Sequence, residues 1–221
     1  MSAERSCLVV AKVPRPGSVK TRLGRRVGMG LAADLAAAAL LDTLDACADA
    51  VVADLCSIAL DGDPAHGARG DEIAARLLGW QVFGQRGTDL GERLAFAHAD
   101  ARDLPRVQIG MDTPQITPAL LHQVLEELGT HDAALAPAAD GGWWALALAG
   151  GACAGALAGV PMSTPTTRDD TAKALRANGQ TVASGPLLHD VDTVEDAELV
   201  AAQAPWTLFA ATWRVATERS V

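Results

Sequence analysis

Seven short apolar runs recur along this 221-residue chain, and helix-patterned stretches separate most of them. The runs are CLVVA (7–11), LCSIAL (55–60), WQVFGQ (80–85), RVQIG (106–110), DAALAPA (132–138), WWALALAG (143–150) and the segment 181–184. Each is short, and most are β-branched or aromatic in part and close on Gly, Pro or Asp, which reads as a buried strand. Between them, helical patterning covers 30–50, 71–79, 89–102, 117–129 and about 168–178, with a further helical stretch after Pro205. The helix over 117–129 has Thr117 as N-cap, Pro118 at its first position and Gly129 to close it. Strands alternating with helices predict an α/β fold with a mostly parallel central sheet flanked by helices. No internal repeat, linker or composition break divides the chain, so a single domain over 1–221 is expected.

In open α/β sheets, ligands bind beyond the carboxyl ends of the strands. The unusual sequence gathers there: KVPRPGSVKTR after the first strand, GQRGTDLGER after the third, GMDTPQIT after the fourth, PAADGGWW after the fifth. That placement points to an enzyme. The first loop is basic in an acidic protein. Lys12, Arg15, Lys20, Arg22, Arg25 and Arg26 are a third of the 18 Lys and Arg in a chain of net charge -9. It is not a Walker loop, because Val19 stands where that motif needs its second glycine. GRRVGMG (24–30) is not a dinucleotide fingerprint either. What remains is a turn at Gly17 presenting backbone N–H groups, with Lys20 and Arg22 as charged donors, a cradle for a di- or triphosphate.

Asp112 in GMDTP reads either as a turn or capping residue before Pro114 or as a ligand for a hard cation. In HDVDT, Asp190 and Asp192 point to one side of an extended segment, which is costly unless a cation or basic group lies between them. Thr193 begins a helix, so capping explains one acid but not both. DGGWW (140–144) reads as a tight turn or as part of a site. MSTPTTRDDT (162–171) offers hydroxyls before a helix. Gln85 and the loop that follows it can read a base or an acceptor. His66, His98, His122 and His131 read as structural or surface groups, and His189 stays open beside the acidic pair.

These motifs, in this order over about residues 7–200, resemble the bacterial GT-A-fold transferases known as radical-SAM/selenodomain-associated transferases. They are similar in turn to molybdenum-cofactor nucleotidylyltransferases and 2-phospho-lactate guanylyltransferases. The resemblance implies a GT-A (nucleotide-diphospho-sugar transferase) fold. It further implies phosphate binding by Lys20 and Arg22, Asp112 as principal ligand for Mg²⁺ or Mn²⁺ with Asp190 and Asp192 as further metal-linked acids, and an acceptor side at Asp140, Gly141 and Gly142. Around these we place Ala11, Lys12, Pro16, Gly17, Thr21, Gln85 and Gly87 on the nucleotide side. Trp143, Ser163 and Thr164 fall on the acceptor side, and Lys20 and Asp112 carry the catalytic roles. The chain departs from the family in having Trp143 and Trp144, and no Tyr anywhere, where an aromatic pair with Tyr is usual. GMD also carries one acid where sugar transferases of this fold often carry D-x-D.

The favoured expectation is a metal-dependent nucleotidyltransferase taking a nucleoside triphosphate and a small-molecule acceptor. A glycosyltransferase using a nucleotide sugar is the alternative, and a non-catalytic nucleotide-binding module a third. A pI near 4.9 argues against nucleic acid as a partner, since phosphate backbones demand a broad basic face. Cys7, Cys47, Cys56 and Cys153 show no C-x-x-C pair and are expected as buried reduced thiols, which suits the cytoplasm. MSAERS is followed by only about five apolar residues, too few for a signal peptide or a membrane span.

Overall fold

The computed structural model describes residues 4–218, so the first three residues of the MSAERS stretch lie outside it. Its strands are β1 (Ser6–Lys12), β2 (Cys56–Asp61), β3 (Gln81–Gly84), β4 (Arg106–Ile109), β5 (Ala133–Pro137), β6 (Trp143–Leu148) and β7 (Val182–Ser184). They form one seven-stranded sheet in the order β3-β2-β1-β4-β6-β5-β7. Only β6 runs against its neighbours, pairing antiparallel with β4 and β5. The reversal follows from residues 138–142. Asp140 accepts a hydrogen bond from the Gly142 N–H, and Gly141 adopts a φ of 93°, so the chain turns back within a few residues.

The helices are α1 (Thr21–Val27), α2 (Met29–Ala50), α3 (Gly70–Arg76), α4 (Leu90–Asp100), α5 (Pro118–Glu126), α6 (Thr167–Ala177), α7 (Val194–Gln203) and α8 (Leu208–Glu218). Alternation along β1 sends Cys7, Val9 and Ala11 into one layer with Leu40 and Leu44 of α2 and Leu121 and Leu125 of α5. Leu8 and Val10 face the opposite layer, where α4, α6 and the 151–159 segment pack. The alanines of α2 let it be covered on two sides: Ala36 and Ala37 meet the sheet layer, while Ala38 and Ala39 meet Val200, Phe209 and Trp213 of α7 and α8. No helix among the described residues is long and apolar enough to cross a membrane.

Four local readings are corrected. The helix over 117–129 ends at Glu126 and finishes as a 3-10 turn over 127–129, where Gly129 offers no helical preference. The basic stretch is not all loop, because 21–27 coils into α1. Residues 151–159, given no element above, form a 3-10 run. Of the four thiols, Cys7, Cys47 and Cys56 are buried and free, but Cys153 is only half-buried because it lies on that surface run.

Candidate active site

A cleft of about 930 Å³ opens at the carboxyl ends of β1 and β4, where the amino end of β6 meets them. Its walls come from far-separated parts of the chain: Ala11 and Lys12 after β1, Lys20 and Arg22 of the basic segment, Gln85 after β3, Asp112 after β4, and Asp190 and Asp192 before α7. Asp140, Gly142, Trp143, Ser163 and Thr164 complete the opposite side. Most of the residues singled out from sequence thus meet in one cavity.

Five do not line it. Pro16 and Gly17 form the outer turn, where the Ser18 N–H donates to the Arg15 carbonyl and Gly17 takes a φ of 80°. Thr21 is the exposed first residue of α1. Gly87 and Gly141 act as packing positions. A Cβ on Gly87 would meet the Arg93 backbone nitrogen at 2.9 Å, and one on Gly141 the Pro165 carbonyl oxygen at 2.0 Å.

Lys20 and Arg22, read together as charged donors, differ sharply in exposure. The Lys20 side chain is 6% exposed, whereas that of Arg22 is 77% exposed. The Lys20 ammonium lies 2.5 Å from Asp112 and 3.3 Å from Asp192, and Arg22 reaches Asp192 at 3.6 Å. The backbone aims it there. Lys20 sits in the left-handed region at φ 46° and ψ 43°, rare for a residue with a Cβ, and its carbonyl starts α1 by accepting from the Gly24 N–H. Burial pulls the ammonium's pKa down, but Asp112 and Asp192 outweigh it and hold the group above its ordinary value.

The acids are placed by the backbone. The Val191 N–H donates to the Asp112 carbonyl at 2.9 Å, and the Val191 side chain is buried among Leu23, Leu35 and Phe209. Its two neighbours, Asp190 and Asp192, therefore both line the cleft. Asp190 is pushed up to about 7, first by burial and then by Asp112 and Asp140, with Lys20 opposing. Thr193 and Asp196 close the segment with a reciprocal capping box at the start of α7.

The three acids do not form a ready cage: among the described residues, no group of three or more His, Cys, Asp and Glu is close enough to hold an ion. Lys20 stands between Asp112 and Asp192 instead. The donor set still fits a divalent cation. It consists of hard carboxylate oxygens, it already gathers around one cation, and Mg²⁺ needs only one or two carboxylates when phosphates and waters supply the rest.

Sequence reasoning named the GQRGTDLGER stretch only as a whole and singled out none of its lining residues past Gln85, nor Gln108. Thr88, Leu90, Arg93 and Leu94 line the cleft from the amino end of α4, which Asp89 caps by accepting from the Glu92 N–H. The Asp89–Glu92 spacing was a readable signal for that helix start. Gln108 is 2% exposed on the cleft floor, and its Oε1 finds no hydrogen-bond partner among the described residues. A glutamine inside the apolar run RVQIG was its signal.

The family model described as "Uncharacterized protein conserved in bacteria (DUF2064)" matches residues 43–164, more than half of the chain. The chain belongs to the DUF2064 family. No curated protein matches this DUF2064 member. Among solved structures it is similar to a candidate nucleotide-diphospho-sugar transferase from Desulfovibrio desulfuricans G20, at 29% identity over 97% of this chain and 95% of that one, with a TM-score of 0.79. A cytidylyltransferase from Leptospira borgpetersenii serovar Hardjo-bovis shares the fold at 14% identity, a TM-score of 0.59, and coverage of 99% and 95%. So does Rv0371c of Mycobacterium tuberculosis H37Rv in complex with manganese, at 20% identity, a TM-score of 0.50, and coverage of 89% and 98%. The fold is that of the nucleotide-diphospho-sugar transferases, and the neighbours named for an activity are transferases.

Proposed function

We propose that this DUF2064 protein is a divalent-metal-dependent nucleotidyltransferase of the radical-SAM/selenodomain-associated type, joining a nucleoside monophosphate to a small phosphate- or hydroxyl-bearing acceptor. The observation that carries the reading is the charge layout of one cleft: Lys20 and Arg22 face Asp112 and Asp192, with Asp190 beside them. Donors for a triphosphate and acids for its counter-ion meet at a single place. Asp112, Asp190 and Asp192 would hold Mg²⁺ or Mn²⁺, which when bound neutralises charge on the phosphates. Lys20 and Arg22 donate to the phosphate oxygens and stabilise the charge that builds as the bond breaks. The acceptor oxygen attacks the α-phosphorus, the bond from that phosphorus to the oxygen bridging it to the β-phosphorus breaks, pyrophosphate leaves with the electron pair, and a hydroxyl acceptor gives up its proton to solvent. Trp143, Ser163 and Thr164 present the acceptor from the other wall.

Glycosyl transfer from a nucleotide sugar is the second reading, and the likeness to the Desulfovibrio protein favours it. The lone acid of GMDTP and the three basic side chains that the segment brings to the cleft, Lys12, Lys20 and Arg22, favour the triphosphate. Thermal shift against nucleoside triphosphates and nucleotide sugars, each with and without Mg²⁺, decides between them. A ligand at about 100 times its Kd adds about 2.7 kcal/mol of stability. We expect the larger Mg²⁺-dependent shift from a triphosphate, and pyrophosphate as product. The opposite ranking, with release of a nucleoside diphosphate, establishes the glycosyltransferase.

A further inference from the structure

Lys20 occupies the space between the carboxylates that would hold the metal. We propose that it is a built-in counter-cation, which keeps the free protein from binding a divalent ion tightly and leaves only when phosphates arrive to receive it. The inference rests on the metal-and-nucleotide reading of the cleft and adds an order to it.

Three observations carry it. First, the ammonium is 2.5 Å from Asp112 and 3.3 Å from Asp192, so both carboxylates already spend their charge on it. Second, it is inserted by design of the backbone: a lysine holds φ 46° at the start of α1, where a helical φ would aim its side chain elsewhere. Third, the acids line one cleft with the ammonium, and among the described residues no group of three or more His, Cys, Asp and Glu is close enough to hold an ion. A divalent ion entering between the half-exposed Asp112 and Asp192 would meet the buried ammonium within a few ångströms, and like charges so close repel even where water partly screens them. The ammonium must therefore move, and the phosphates of a nucleotide are the anions that would draw it away. Since coupling between two ligands is reciprocal, nucleotide should strengthen metal binding as much as metal strengthens nucleotide binding.

Mn²⁺ binding to the free, full-length protein tests this without any substrate, with free ion counted by electron paramagnetic resonance. Lys20→Met should bind Mn²⁺ about tenfold or more tighter than wild type, within the usual range for coupled sites. Lys20→Arg, which keeps the charge, should stay at the weak wild-type level. Lys20→Gln serves if the methionine variant does not fold, and it should rank with methionine. Equal or weaker Mn²⁺ binding by the uncharged variant overturns the proposal, as does a gain by Lys20→Arg. The result does not depend on the donor. If the thermal-shift panel favours a nucleotide sugar, the nucleotidyltransferase reading falls while the Mn²⁺ ranking stands or falls separately.

Discussion

The backbone N–H of Val191 donates to the carbonyl of Asp112 at 2.9 Å, although one lies in the loop after β4 and the other in the loop before α7, with α5, β5, β6, α6 and β7 between them in sequence. That bond brings the acid after β4 beside the two acids that flank Val191. It leaves three carboxylates sharing a small space with Lys20 as the buried cation among them. The site is therefore electrostatically bound to its own fold, and variants at its cations should separate the two roles.

Lys20→Ala should cost the metal-free protein about 1–2 kcal/mol, less than a fully buried pair because both carboxylates are about half-exposed. Arg22→Ala should stay within about 0.5 kcal/mol of wild type, as exposed side chains usually do. Each should weaken triphosphate binding by about 1.5–3 kcal/mol. Urea melts together with calorimetry measure both quantities, and equal stabilities for the two variants would return Lys20 to the surface.

Gly141→Ala should destabilise far more than Gly17→Ala, though both glycines have positive φ. A Cβ at 141 would sit 2.0 Å from the Pro165 carbonyl oxygen, while one at 17 meets none of the described residues within 4 Å. We expect about 1 kcal/mol at Gly17 from backbone strain alone. At Gly141 we expect about 3 kcal/mol or more, because rigid backbone must also shift. Chemical denaturation of the two variants side by side gives the comparison.

Arg106→Met should lower stability by about 2–4 kcal/mol. The guanidinium is fully buried and donates to the carbonyls of Leu104, His98 and Arg102, tying the end of α4 to β4. Methionine matches its length but leaves those acceptors without donors. A melting temperature unchanged by the substitution would show that other donors take over.

Asp42 sets a pH dependence away from the cleft. Burial raises its carboxyl from 3.8 to about 6, even though it accepts from the Leu208 and Phe209 N–H groups at the start of α8. A raised folded value means that the native state binds the proton more tightly than the unfolded chain. This contribution is complete below about pH 4 and is lost as pH climbs through about 6. Asp42→Asn should flatten the fall of melting temperature between those limits. The same slope in both proteins would assign the dependence to another group.

The strands were legible because each is a short apolar run closed by a turn former, and the cleft because its loops all follow strand ends. Asp190 and Asp192 were legible as a pair, since alternation about one apolar residue needs no tertiary knowledge. α1 was not, because a turn at Gly17, a central Gly24 and a left-handed entry at Lys20 hide a helix of seven residues. Nor was the burial of Lys20. A lysine reads as surface until the acids that compensate it are known, and those lie 92 and 172 residues away. Gln108 and Arg106 were passed over for the same cause: a polar residue in a strand declares burial only once its partners are in place.

The ion pair between Lys20 and Asp192 spans 172 of the chain's 221 residues and so has a kinetic meaning. Closing so long a loop comes after local helices and hairpins have formed, since its entropy cost is repaid only by contacts already assembled. During refolding, far-ultraviolet ellipticity should therefore recover before the capacity to bind phosphate does. The cleft becomes a reporter of complete folding: a molecule that has secondary structure but has not brought its two ends together carries three repelling acids and no cation to quiet them.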